Sequence, residues 1–291
     1  MRVLVSFCNQ PENSKKNLLL LDIKTGEKKY LLNTSDGFTG LAQDNRFFYA
    51  LSQNLETGLV VIDKVTNETV FNSKLQNLLD PHSLIIDGGF IYVVSTGNDQ
   101  VIKYEFDKKK LAIKFMELVW SPSGSKKMKD THHINSIFRC NNSIYISAFG
   151  LREGDRWSSA QQGYVQNITN NRKEIENIYH PHALFIQDED YYYCESSTRS
   201  IKKNQKKILT LKTGYTRGLY LSGNHLFLGT SCGRKKSKST GELNNPADSG
   251  IMEEDCRVLF FLKNFFGLYR LKKEFNFFPT HKEIYDIIII K

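Results

Sequence analysis

Residues 180–195 read HPHALFIQDEDYYYCE, and this stretch decides the fold. A small residue and an aliphatic one, Ala183 and Leu184, open a hydrophobic run; Asp188, Glu189 and Asp190 interrupt it, and Tyr191 to Cys194 resume it. Aromatic and aliphatic residues alternating on either side of a short polar turn form a strand, a tight turn and a second strand.

Four other stretches repeat the pattern: GFTGLAQDNRFFYALS (37–52), DPHSLIIDGGFIYVVS (80–95), HINSIFRCNNSIYISA (133–148) and YTRGLYLSGNHLFLGT (215–230). With Thr39, His82, Asn135, His182 and Arg217 as equivalent positions, the successive spacings are 43, 53, 47 and 35 residues. Such periods fit four-stranded propeller blades. Third strands follow at GLVVIDK (58–64), QVIKYEF (100–106), GYVQNIT (163–169) and RVLFFLK (257–263), and fourth strands at TVFNS and LAIKFME. Capped helical periodicity is nearly absent. The chain therefore reads as one all-β domain, a six-bladed β-propeller spanning 1–291, with repeats starting near 37, 80, 133, 180 and 215.

The sixth blade is split. Residues 1–33 supply RVLVSFC, NLLLLDI and KKYLL, which lack a first strand, and EIYDIIII (283–290) is a strong β segment without a hairpin partner. Pairing them closes the ring and removes two exposed edges. The Lys-rich connection from Cys232 to Cys256 is expected to be a mobile flap or an exposed excursion.

Composition narrows the function. The chain of 291 residues carries a net charge of +9, much of the excess in IKKNQKK (201–207) and GRKKSKS (233–239), which read as solvated turns. No basic stripe interleaved with aromatics marks a nucleic-acid partner. No apolar run is long enough for a membrane span, and MRVLVSFCNQ does not read as a signal sequence, so a cytoplasmic protein is expected. Five scattered cysteines without a CxxC pair point to reduced thiols.

Strands of a hairpin run antiparallel, so the start of each first strand and the end of each second share one edge of the blade. His82, Asn135, His182 and Arg217 should thus converge at one mouth of the channel, with Glu195 beside His182. His132, His133 and His180 lie next to that ring, which gathers five of the seven histidines. Neutral imidazoles beside a carboxylate suit Zn, Mn or Fe, and His82, His133 and His182 are the expected ligands of such a divalent metal. His133, His180 and Glu195 are the candidate acid–base groups. Asn135, Tyr215 and Arg217 are candidate ligand-binding residues, Arg217 as a fork for a carboxylate or phosphate. Trp157 could stack on a sugar from a loop over the mouth. Plainer roles exist for the same residues. His82 and His182 can cap a blade by donating to a backbone carbonyl, Arg217 can pair with Glu195 or Asp80, and Tyr191 to Tyr193 fit core packing.

At HHINSIF with ISAFG, HPHALF with CESSTRSI, and YTRGLYLSGNHLFLGTS, the chain resembles a family of bacterial propeller proteins known only as a domain of unknown function. The likeness runs from about residue 80 to 290; the N-terminal third matches less well, and the Lys-rich loop departs from it. Members often stand beside genes for glycan or polysaccharide biosynthesis, which implies a sugar-related role. The leading expectation is a ligand-binding, catalytic propeller acting on a sugar, nucleotide-sugar or glycoconjugate. The alternatives are a non-catalytic scaffold that recruits a protein partner in glycan biosynthesis through basic loops such as Lys235 and Lys236, or a metabolite sensor.

Overall fold

A computed structural model describes residues 1–10, 14–34, 36–53, 58–122, 129–233 and 255–290. Lys235, Lys236 and most of the Cys232 to Cys256 connection lie outside the described residues. Six four-stranded antiparallel sheets form a ring, with no α-helix among the described residues. Blades 2 to 6 each use four consecutive strands, within Phe38–Ser73, Pro81–Trp120, Ile134–Ile178, Pro181–Thr210 and Tyr215–Asn276. Blade 1 joins Arg2–Phe7, Leu18–Asp22 and Lys28–Tyr30 to the C-terminal strand Ile284–Ile289, which is its innermost member. Val3 pairs with Ile289 and Val5 with Ile287, closing the ring as the two orphan segments suggested.

The core lies between blades. Six hydrophobic clusters fill the six seams; Tyr49, Leu51 and Val61 of blade 2, for example, pack against Val93 and Tyr104 of blade 3. Tyr192 and Tyr193 are buried in two neighbouring seams, consistent with packing. None of the five cysteines forms a disulfide.

A buried hydroxyl bonds across every seam. Ser6 donates to the Thr39 carbonyl at 2.6 Å, Thr39 to Pro81 at 2.7 Å, Thr96 to Ile134 at 2.7 Å, Ser196 to Thr216 at 2.6 Å and Ser231 to Ile284 at 2.9 Å. Between blades 4 and 5 the sense reverses, the Leu184 N–H donating to Ser136 at 3.1 Å. These bonds satisfy backbone groups of the innermost strands that the sheets leave over. On the opposite face the outer hairpins close on Asx turns: Asp22, Asp63, Asp107 and Asn167 each accept from the two backbone amides two and three residues on.

Candidate functional site

Each innermost strand is irregular near its start, with register shifts between Phe38 and Leu41, Pro81 and Ser83, Ile134 and Ser136, His182 and Phe185, and Arg217 and Leu219, and opposite Ser6 and Phe7 in blade 1. A bulge re-aims the side chains around it. Thr39, His82, Asn135, His182, Arg217 and Tyr285 form the first tier. Gly40, Ser83, Ser136, Ala183, Gly218 and Asp286 follow, then Leu41, Leu84, Ile137, Leu184, Leu219 and Ile287. The second tier is small because the strands nearly touch: a Cβ on Gly40 would stand 2.6 Å from the Ser83 Cα. Its polar members serve the next blade, Asp286 accepting from the Leu41 amide at 2.9 Å and Ser83 from the Ile137 amide at 3.3 Å.

These strands line a cavity of about 280 Å³ along the channel, whose walls include Asn135, His182, Arg217, Tyr285 and Asp286 with the aliphatic tier below them. That is close to the lower limit, roughly 300 Å³, of small-ligand pockets.

His182 is 6% exposed. Its Nδ1 lies 3.1 Å from the His180 carbonyl, which can only accept, so Nδ1 carries the hydrogen. It also bonds Ser196 Oγ at 2.8 Å, whose own hydrogen goes to Thr216. Burial, reinforced by Arg217 and the neighbouring histidines, holds the imidazole well below its ordinary pKa. The ring is neutral, Nε2 is an acceptor, and it is buried without a partner among the described residues. Capping and channel-facing roles thus fall on two nitrogens of one ring.

The neighbours repeat the arrangement. Asn135 Nδ2 donates to the His133 carbonyl at 3.2 Å, leaving Oδ1 buried without a partner among the described residues, and His82 Nε2 sits 3.3 Å from Asp80, leaving Nδ1 likewise. The Tyr285 hydroxyl is buried and unpartnered among the described residues, and burial pushes its pKa well up. The Arg217 guanidinium lies over the Tyr285 ring, 5.6 Å from its centroid, and makes no hydrogen bond or ion pair with any described residue. Neither Glu195 nor Asp80 closes a salt bridge with it. Burial pushes Asp286 up to about 6, against the lowering effect of the Leu41 and Ile287 amides.

Above the cavity sits an aromatic cluster. His133 lies 5.2 Å from His82, 4.5 Å from Phe149 and 4.5 Å from Trp157 between ring centroids, and its Nδ1 is 2.8 Å from Asp130. Asp99, fully buried, accepts from the backbone amides of Thr131, His132 and His133 and fixes this segment.

Several expected roles change. His180 is stacked between Tyr179 and Phe149 and donates through Nε2 to the Trp157 carbonyl at 2.8 Å; burial pulls its pKa down to about 4. It anchors the loop as a neutral ring, a poor proton donor or base near neutral pH. Glu195 is held by Thr198 at 2.7 Å and Lys202 at 3.2 Å within its own blade, which turns it away from His182. Trp157 packs on His133 and Phe149 beneath Arg152, so it is a wall of the cluster and not a free stacking platform. Tyr215 pairs with Ser231 above the cavity lining, which begins in that strand at Arg217. His132 turns to Tyr164, 3.3 Å from its hydroxyl. Among the described residues no three His, Cys, Asp or Glu side chains are grouped so as to hold a metal ion, the trio His82, His133 and His182 included.

Sequence reasoning missed Tyr285, Asp286, Asp99, Asp130 and Phe149. A signal existed for two of them: Tyr285-Asp286-Ile287-Ile288 occupies the same tiers as His182-Ala183-Leu184-Phe185.

No family model and no curated protein matches the chain. Among solved structures it is similar to a chain of a nidogen/laminin complex, with a TM-score of 0.67 at 10% identity over 98% of this chain and 97% of that one. A protein from Lactobacillus plantarum gives 0.59 at 11% identity over 100% and 99%, and a luciferin-regenerating enzyme 0.59 at 12% identity over 84% and 77%. At these identities the likeness concerns the propeller fold alone. No helix among the described residues is long and apolar enough to cross a membrane.

Proposed function

We propose that the channel mouth binds a small, hydroxyl-rich anion, such as a sugar acid or a nucleotide-sugar. The reading rests on the buried atoms His82 Nδ1, Asn135 Oδ1, His182 Nε2 and Tyr285 Oη, which have no partner among the described residues and come from four blades around Arg217, whose guanidinium pairs with no described carboxylate. A buried polar atom without a partner costs about 1–3 kcal/mol, which a bound ligand recovers. Asn135 Oδ1 and His182 Nε2 are acceptors and call for ligand hydroxyls; Arg217 supplies a two-pronged donor for a carboxylate or phosphate. The glycan setting implied by the family resemblance agrees with this chemistry.

The test is calorimetric titration with glucuronate, glucose 1-phosphate, a nucleotide-sugar and glucose. Binding of at least one anionic member with glucose far weaker is expected, and Arg217→Met should weaken it by about 10- to 100-fold, the effect of losing a charge-assisted hydrogen bond. No binding by the whole panel, or unchanged affinity in Arg217→Met, would refute the proposal.

A second reading, turnover of that ligand, is favoured by the Asp130 pairing of His133 beside His82. A carboxylate on one ring nitrogen fixes the tautomer and the orientation of the ring, as an acid–base histidine requires. His133→Ala should then abolish product formation at unchanged ligand affinity; absence of product from the unaltered protein leaves a binding protein, sensor or scaffold. The metal expectation fits less well. His82 and His182 offer one open nitrogen each, whereas a stable zinc site takes three or four protein ligands. Elemental analysis of protein purified without a His tag checks it.

A further inference from the structure

The outer hairpin turns of the blades lie on the face opposite the histidine-lined mouth, because strands three and four continue the antiparallel alternation. The turn of blade 6, Asn264–Leu268, stands apart. Phe265 is 98% exposed, Phe266 83% and Leu268 62%. The turn is nevertheless ordered: the Asn264 amide donates to the Leu268 carbonyl, the Gly267 amide to Asn264, and the Leu268 amide to the Asn264 side chain, each at 2.9–3.0 Å. Gly267, at φ +79°, supplies the left-handed residue that reverses the chain. Two phenyl rings are thus held in water on a fixed support, which internal packing does not explain.

Charge says what covers them. Residues 263–273, KNFFGLYRLKK, hold four cations and no carboxylate, and Arg270 and Lys272 are exposed. Apolar side chains at a tip with cations behind them match the depth profile of a bilayer whose surface carries anionic lipid. A second copy of the chain is disfavoured, since two +9 proteins would meet through their basic segments.

We propose that this turn docks the protein on an anionic lipid surface, with Phe265, Phe266 and Leu268 entering the interfacial layer and Lys263, Arg270 and Lys272 facing lipid phosphates. The mouth would then face the aqueous side, open to ligand.

Flotation of the full chain with vesicles of phosphatidylcholine, with or without roughly 30% phosphatidylserine, tests this. Binding should require phosphatidylserine and weaken as salt rises. Phe265→Ser with Phe266→Ser should reduce the partition coefficient at least about tenfold at unchanged melting temperature, and Arg270→Glu with Lys272→Glu should remove the lipid-charge dependence. No preference for phosphatidylserine vesicles, wild-type partitioning by the phenylalanine variant, or a dimer that the same substitutions dissociate would overturn the proposal. Ligand binding at the mouth is a separate measurement, so either result stands alone.

Discussion

At the scale of single residues, the mouth combines two demands on the same side chains. His182 closes its own blade through Nδ1 and leaves Nε2 to the cavity, and Asn135 divides its amide in the same way. The first demand has a pH signature. His182 titrates near 6.5 when unfolded and well below that when native, so above 6.5 both states are neutral. As pH falls the unfolded chain takes up a proton that the native site refuses, and stability is lost. Relative to His182→Asn, which does not titrate, the wild-type protein should lose up to about 2 kcal/mol between pH 7.5 and 5, the limit set by the unfolded pKa, read from denaturant midpoints. A pH-independent difference would mean that the native ring takes up a proton as readily as the unfolded chain does. The comparison also cancels Asp286, whose raised pKa acts in the opposite sense. The convergence of these residues was legible in the sequence because hairpin geometry requires it. Their availability was not: Glu195 is taken by Lys202, and His180 by the Trp157 carbonyl, through contacts no repeat pattern encodes.

At the scale of the strand, bulges and seam hydroxyls do what the sheets alone cannot. The hairpins were readable from period-two alternation, but a bulge adds one residue without altering composition, so the tiers could not be assigned from sequence. Gly40 and Gly88 separate two reasons for a glycine. At Gly40 alanine would press on the Ser83 backbone and cost about 1–3 kcal/mol as overpacking; at Gly88, with φ +61° and open space around it, alanine should cost about 1–2 kcal/mol from backbone strain alone. Ligand affinity should drop only in Gly40→Ala, because that strand lines the cavity. The seam bonds divide similarly. Ser196→Ala removes the donor to Thr216 and the partner of His182 Nδ1, whereas Thr39→Val removes only the donor to Pro81. Each should lower stability by about 1–3 kcal/mol, and only Ser196→Ala should also weaken binding, by freeing the His182 ring to turn. Equal affinities in the two variants would show that the His180 carbonyl and packing hold the ring without Ser196.

At the scale of the whole molecule, the ring depends on a strand from the far end of the chain. Its place was legible because blade 1 lacked a first strand and EIYDIIII lacked a partner; its chemistry was overlooked because an isolated segment aligns with no neighbouring hairpin. Ile284–Ile289 does three jobs at once. It buries Ile284, Ile287 and Ile288 in two seams, it receives the last hydroxyl bond, from Ser231, and it brings Tyr285 and Asp286 to the channel. The three isoleucines alone are worth about 4.5–9 kcal/mol at 1.5–3 each, against a typical total stability of 5–15 kcal/mol. A chain ending after Thr280 should therefore lose its cooperative unfolding transition, because Val3 and Val5 are left on an open edge and two seams lose one wall. A peptide of residues 281–290 added in excess should restore both the transition and ligand binding. The same peptide carrying Tyr285→Phe should restore the transition but give weaker binding, since it rebuilds the seams without the hydroxyl. Full cooperativity in the shortened chain would place the closure elsewhere in the ring.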